Sequence, residues 1–447
     1  MKALLYRRSV VRYLACAAAS RLAPRRFFPW LAPLGLVTIP FDPPKGWLPL
    51  VPRLCGICGS DLGLLRGKES PLLEPYASLP FILGHEMVAD LAEDAPEIGL
   101  AAGTRVVVEP GLPCAVRGLS PCAPCRQGHY NRCERFLDGD LPPGSFLGFT
   151  RRAGGAMAER TAAHPTRILP VPQALSDEDA VLTDSLASAL QPVLEHFPAP
   201  GATVLVLGAG ILGQHVVRCL RGLDSDARIL VTARHPVQAS LATAGGADAI
   251  VRAKTRKELA AALGARFVPT SLGGGNIEGG VDMVFDCVGA SATFETGLLA
   301  LRAGGTYVMV GAGARLADVD ISSLWFRELT VAGSSGCAEA PDPRHPGQRV
   351  RTYALALELL SSGRYPTKGL LTHTFRLEQY ADAFRTAFDK RSNGSVKVAF
   401  DLRWRGECLR RPGGNFLKKV SPWTPFQNFS WGNRLAPANR HKSIAQP

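Results

Sequence analysis

No run of eighteen consecutive apolar residues occurs among the 447 residues, which leaves no candidate for a membrane-spanning helix. Charged residues are sparse, 20% against 46% apolar, a balance that fits a folded globular chain and not a disordered one. No internal repeat is present, and no secretory signal is evident. That second absence argues against reading the eleven cysteines as a disulfide framework. Acid is scarce at both ends. Residues 1–41 hold seven basic side chains and no acid; from Arg403 onward nine Lys or Arg face Glu407 alone. The net charge of +13 therefore sits at the termini, and a nearly neutral middle argues against a nucleic-acid partner. An Arg-rich, acid-free beginning is also the make-up of an organelle transit peptide. Lys2-Ala3-Leu4-Leu5-Tyr6 reads better as an opening strand, so a cytoplasmic location without a membrane partner is expected, with import as the alternative.

Glycine (46) and proline (35) are abundant, which suits an α/β chain with many tight turns. The length exceeds one compact core and fits two domains. Up to residue 192 the chain is rich in Pro, Gly and Cys with short strand-like runs such as 104–109, the texture of an irregular β-rich domain. From 200 to 336 apolar strands (204–207, 228–232, 282–288, 307–311) alternate with helical stretches, the mark of a parallel sheet covered on both faces. Ser176 followed by Asp177-Glu178-Asp179 caps a helix that runs to about residue 196 and links the two regions. A helix over 350–361 and a strand over 396–400 follow. The expected division is 1–195, 196–336, a returning segment 337–402, and a basic tail 403–447.

Gly208-Ala209-Gly210-Ile211-Leu212-Gly213 follows a buried strand and opens a helix, the context in which G-x-G-x-x-G cradles a dinucleotide pyrophosphate. Gly208 permits the turn, Gly210 admits the phosphates, Gly213 lets helix and strand touch, and the N–H groups from Ile211 and Leu212 onward face the ligand. The end of the second strand reads Thr232-Ala233-Arg234-His235. The acid that binds the ribose hydroxyls of NAD is absent, and a guanidinium beside the small Ala233 suits a 2′-phosphate. NADP is expected ahead of NAD; the alternative is a surface Arg234 with relaxed specificity.

Cys114, Cys122, Cys125 and Cys133 form C-x7-C-x2-C-x7-C. Four thiolates can close a tetrahedron around a structural zinc; free thiols or disulfides are the alternatives. Cys58, in Gly56-Ile57-Cys58-Gly59-Ser60-Asp61, and His85-Glu86 offer sulfur, nitrogen and oxygen for a second, catalytic zinc that keeps one position open for an alcohol oxygen. Cys55 is read as a buried strand-end thiol. A zinc Lewis acid and a nicotinamide each supply half of an alcohol oxidation.

These motifs, in this order, resemble the zinc-containing medium-chain alcohol dehydrogenase/reductase family over residues 1–402, and within it the polyol, threonine and glucose dehydrogenase branch. The resemblance implies a GroES-like β-rich catalytic domain plus a Rossmann doubly wound parallel-sheet cofactor domain, two zinc ions per chain, and a homodimer or homotetramer joined at the cofactor-domain edge (307–311 and 329–333). It implies that Cys58 and His85 ligate the catalytic zinc, with Glu86 a direct or exchangeable ligand. Ser60 would relay the alcohol proton, and Asp61 would hydrogen-bond the zinc-bound imidazole. Asp184 falls where the branch places a ligating Glu on the linking helix, one methylene shorter here, so ligand and solvated helix acid both stay open. The family spaces its first two zinc-loop cysteines by two residues; the seven between Cys114 and Cys122 read as an inserted loop. The function implied is hydride transfer between a secondary, polyol or sugar alcohol and NADP or NAD. The alternatives are a reductase running mainly from carbonyl to alcohol, or a non-catalytic cofactor-binding relative that uses the aromatic tail (Trp404, Phe416, Trp423, Phe426, Phe429, Trp431).

Overall fold

The unbroken apolar strand Thr203–Leu207 sits inside a six-stranded parallel sheet in a computed structural model that describes residues 1–271, 273–311 and 315–403. Across the sheet the strands run Ala249–Val251, Arg228–Thr232, Thr203–Leu207, Val281–Asp286, Leu301–Met309, Thr330–Gly333. In chain order that is 3-2-1-4-5-6, the doubly wound arrangement, whose direction reverses between Thr203–Leu207 and Val281–Asp286 and opens a crevice at their carboxyl ends. Successive side chains serve opposite faces. Val204 and Val206 share a core with Val216, Val217 and Leu220 of the helix Ile211–Gly222, whereas Leu205 and Leu207 pack with Leu259 and Leu298 of the helices Arg256–Leu263 and Ser291–Ala300.

The other large sheet is mostly antiparallel. Its order is Leu371–Phe375, Lys397–Asp401, Leu48–Gly56, Glu86–Leu91, Arg105–Val108, Ile168–Pro170, with Thr161–Ala163 also paired to Leu48–Gly56. Lys397–Asp401, from the end of the described chain, pairs antiparallel with Leu48–Gly56 of this sheet. The helix Thr183–Glu195 is buried along most of its length. Leu186, Leu190 and Val193 join Leu54, Val88 and Val107 of the antiparallel sheet and Val216 of the first cofactor-side helix in one apolar core.

Three local features differ from the sequence expectation. Val10–Leu22 is a helix between the strands Lys2–Tyr6 and Leu34–Thr38, capped by Ser9, whose Oγ accepts from Arg12 N–H at 3.4 Å. The run Ala15-Cys16-Ala17-Ala18-Ala19 carries the helix propensity that a search for metal and cofactor motifs passes over. The linking helix is stepped, Asp177–Ala180 then Thr183–Glu195, because Leu182 N–H bonds the Asp179 carbonyl three residues back instead of continuing the four-residue ladder; Ser176 does cap it, accepting from Asp179 N–H at 3.1 Å. Thr330–Gly333 is an edge strand, but Leu301–Met309 lies one strand inside it, with Tyr307 fully buried. The expected aromatic tail from Trp404 onward lies outside the described residues.

Asp177 ties the start of the linking helix to the antiparallel sheet. Its carboxylate accepts from Arg53 Nε at 2.8 Å, Arg105 at 3.1 Å and Arg403 at 3.2 Å. Burial opposes its charge, yet the guanidinium groups of Arg53 and Arg105 hold the carboxyl below the ordinary range. A depressed native pKa adds stability above the unfolded value of about 4, and that stability is lost as pH falls through the lower native pKa. Asp177→Ala is expected to cost about 1–3 kcal/mol in urea unfolding at neutral pH. The deficit should shrink below about pH 4; a pH-independent difference would contradict the ion-pair assignment.

Candidate metal and cofactor sites

The strands Leu48–Gly56 and Glu86–Leu91 run antiparallel with Gly56 opposite Glu86. Cys58, two residues past the end of one, and His85, one residue before the start of the other, must therefore emerge at the same edge. Ligand atoms of Cys58, His85 and Glu86 lie within 4.8 Å of one another. Cys58 caps the helix Gly59–Leu65, and its N–H donates to Asp61 Oδ2 at 2.9 Å. Ser60 stands half-buried in the first turn, and Asp61 is fully buried.

The electrostatics are those of a site made for a cation. Burial alone would lower the His85 pKa, but the Cys58 sulfur, by charge and hydrogen bond, together with Asp61 and Asp184, raises it to about 10. His85 Nδ1 and Asp61 Oδ1 are buried without a hydrogen-bond partner. Asp184 stands outside the 4.8 Å group; Tyr353 donates to its Oδ1 at 3.2 Å, and burial pushes its carboxyl up to about 7 against the pull of His85. Sulfur, imidazole and carboxylate are zinc donors, so the residues present fit that ion.

Lys397 was not singled out by any motif. Its side chain is fully buried and its ammonium forms an ion pair with Glu86 Oε2. Burial opposes its charge, but Glu86 and Cys58 more than restore it. The pair fills the space beside Gly56, where a Cβ would collide with the Glu86 carboxylate and meet Lys397 Cε at 2.8 Å. An isolated Lys in an apolar strand, Val396-Lys397-Val398, is the one sequence signal that could have found it.

Cys114, Cys122, Cys125 and Cys133 converge despite the long spacer. Their sulfurs all lie within 4.8 Å of one another, with Cys114 to Cys133 at 3.6 Å and Cys122 to Cys133 at 3.9 Å. Zinc–sulfur bonds of about 2.3 Å in a tetrahedron place sulfurs about 3.8 Å apart; a disulfide needs about 2.05 Å. Burial disfavours charge on Cys122, but bonds from the Glu134 and Cys125 backbone and from neighbouring thiols lower it to about 7. Burial lifts Cys133 to about 11. The inserted loop is organised by Arg117, fully buried, whose guanidinium donates to the carbonyls of Leu112 (3.0 Å), Asp138 (2.7 Å), Leu141 (3.1 Å) and Pro142 (3.1 Å), and also to that of Gly144. Cys55 is a buried strand thiol raised far above its usual range by burial.

At the crevice of the parallel sheet Gly208 has φ +92°, and its N–H donates to Thr232 Oγ1 at 2.9 Å. A Cβ at Gly213 would strike the Gly208 carbonyl, whereas one at Gly210 meets nothing within 4 Å. Tight packing at one glycine and open space at the other are what a pyrophosphate cradle requires. Ile211 and Leu212 open the helix. Ala233 is half-buried; Arg234 is exposed past the strand Arg228–Thr232 and makes no ion pair with any described residue.

Residues 45–173 match the family model described as the alcohol dehydrogenase GroES-like domain, and residues 212–350 match that of the zinc-binding dehydrogenase. Sorbitol dehydrogenase of Arabidopsis thaliana is 29% identical over 354 residues, 78% of this chain and 87% of that protein. L-idonate 5-dehydrogenase of Vitis vinifera is 29% identical over 355 residues, 78% and 86% of the two chains. Among solved structures, a zinc-binding dehydrogenase of Sinorhizobium meliloti 1021 bound to NADP superposes with a TM-score of 0.64 at 25% identity, covering 82% of this chain and 95% of that one.

Two measurements check the sites. Elemental analysis should find two zinc ions per chain and about one in Cys114→Ser; two in the variant would exclude Cys114 as a ligand. Lys397→Met leaves Glu86 as a buried, unpaired charge and is expected to cost about 3–5 kcal/mol in chelator-treated protein, with part restored by zinc. Unfolding midpoints equal to the parent would show that the pair carries no stability.

Proposed function

Because the chain belongs to the zinc-containing medium-chain alcohol dehydrogenase/reductase family, we propose that it oxidises a polyol or sugar-type secondary alcohol, with NADP preferred to NAD. The observation that carries this reading is the convergence of Cys58, His85 and Glu86 in a chain that also forms the Gly208–Gly213 cradle. When bound, zinc supplies Lewis acidity toward an alcohol hydroxyl, and the nicotinamide supplies the hydride acceptor.

The chain's own residues do the rest. Cys58 and His85 would hold the ion; Asp61, whose Oδ2 accepts from Cys58 N–H and makes no hydrogen bond to the ring, offsets the charge that the imidazole gains. Glu86 stays paired with Lys397, which keeps its carboxylate beside the site and limits the negative charge there. Asp184 stays outside the ligand group, its carboxyl bonded by the Tyr353 hydroxyl, and adds negative charge near His85. Ser60, in the first turn after Cys58, accepts the substrate hydroxyl proton and passes it outward. Ala233 and Arg234 take the adenosine 2′-phosphate, which the free guanidinium can bind bidentately. Polyols are favoured because several acidic and hydroxyl groups stand near Cys58, and because the curated relatives named above act on sorbitol and idonate. The exposed edge strand Thr330–Gly333, with Trp325 and Phe326 exposed just before it, suits pairing with a second copy into a homodimer or homotetramer.

Cys58→Ala should lower turnover about 1,000-fold or more while leaving dinucleotide affinity within about threefold; full activity would refute the mechanism. Arg234→Asp should reduce kcat/KM for NADP about tenfold or more and raise the relative use of NAD. An unchanged NADP:NAD ratio would remove Arg234 from cofactor selection.

A further inference from the structure

The helix Val10–Leu22 turns its apolar residues outward. Val10 (63% exposed), Val11 (79%), Leu14 (60%), Ala18 and Leu22 (88%) all project to solvent. At 100° per residue they occupy about 120° of the circumference, a single face. Cys16 and Ser20 lie on the opposite, buried side. That side is fixed to the body: the Tyr13 hydroxyl donates to the Glu69 carbonyl at 3.2 Å, and Phe27, next after the helix, packs on Phe384 and Phe388. The outward face is therefore held in place, at a cost in exposed apolar area that folding alone does not repay.

The charged residues of the helix and of the chain on either side of it are all cations. Arg7 and Arg8 precede the helix, Arg12 and Arg21 belong to it, Arg25 and Arg26 follow, and all six are exposed. No Asp or Glu occurs before residue 42. Trp30, 71% exposed, stands with Phe28 just beyond, ring centroids 6.1 Å apart. An indole at the border of an apolar face and a ring of cations is the composition of a bilayer-interface anchor.

We propose that this face is a docking surface for an anionic lipid bilayer. Charge decides among the occupants. A second copy seated symmetrically on the face would bring six arginines against six. The chain's own segment after Arg403, with nine basic residues and one acid, is repelled for the same reason. A nucleic-acid backbone would satisfy the arginines and leave Val10, Val11, Leu14 and Leu22 in water. A leaflet of acidic headgroups over acyl chains satisfies both sets at once. No helix among the described residues is long and apolar enough to cross a membrane, so the attachment is peripheral.

The test is co-sedimentation of the full chain with phosphatidylcholine vesicles, with and without roughly a third phosphatidylglycerol, at low and high salt. Binding is expected only to the anionic vesicles, weakened by salt and accompanied by a blue shift of tryptophan emission. The double variant Val11→Glu/Leu14→Glu should bind about tenfold more weakly while its alcohol-oxidation rate and circular dichroism stay unchanged. Arg25→Glu/Arg26→Glu, which leaves the apolar face intact, should weaken binding to a similar degree and serves if the first variant misfolds. Undiminished binding of both variants would assign the interaction to the basic tail and overturn the proposal. So would equal binding to neutral vesicles, a shift in solution mass abolished by Val11→Glu/Leu14→Glu, or capture of duplex DNA in place of vesicles.

Discussion

The antiparallel register that sets Gly56 opposite Glu86 is the constraint from which the site follows. It brings a thiol from one loop and an imidazole and carboxylate from another to one edge of a sheet. A slip of one residue would turn Glu86 to the other face and separate it from Cys58. The register is held from the far side as well, because Lys397–Asp401 adds a third strand with Ala399 opposite Gly56. The same strand delivers Lys397 to Glu86. A segment more than 300 residues downstream thus supplies the counter-charge that lets acids gather in a buried place.

The cofactor half is coupled to this edge through the helix Thr183–Glu195. One side of it packs on the antiparallel sheet and another on the helix that starts at the glycine cradle. Asp184 projects from its first turn toward the acids of the metal site, and Ser185 bonds His215 of the cradle helix at 3.1 Å. The candidate metal and dinucleotide elements therefore pack against one helix, which suits a reaction that needs the two held at a fixed separation.

What could be read in advance was what rests on local spacing or period. The apolar strands, the glycine loop, the Ser176 cap and the grouping of cysteines all announce themselves within about a dozen residues. Cys58 and His85-Glu86 were readable as candidates only together and beside the other two motifs, since singly a Cys or His is more often a core residue; sulfur, imidazole and carboxylate make a zinc donor set. Lys397 and Arg117 were not. Each looks like an ordinary surface cation in sequence, and only its placement in a core, against Glu86 or against five carbonyls, gives it a role. The helix Val10–Leu22 was hidden for another reason: its exposed face is apolar and its ends basic, so it shows no amphipathic pattern of the usual sense. The pairing order of the strands, set by contacts hundreds of residues apart, has no local signature at all.

The proposed function requires one ion shared by the sulfur of Cys58 and the ring of His85, separate from an ion enclosed by the four sulfurs of the cysteine cluster. Anomalous diffraction recorded on both sides of the zinc absorption edge tests it directly. Two peaks per chain are expected, one enclosed by Cys114, Cys122, Cys125 and Cys133 and one in contact with both Cys58 Sγ and a His85 ring nitrogen. A single peak at the four sulfurs in fully active protein, with nothing between Cys58 and His85, would contradict it.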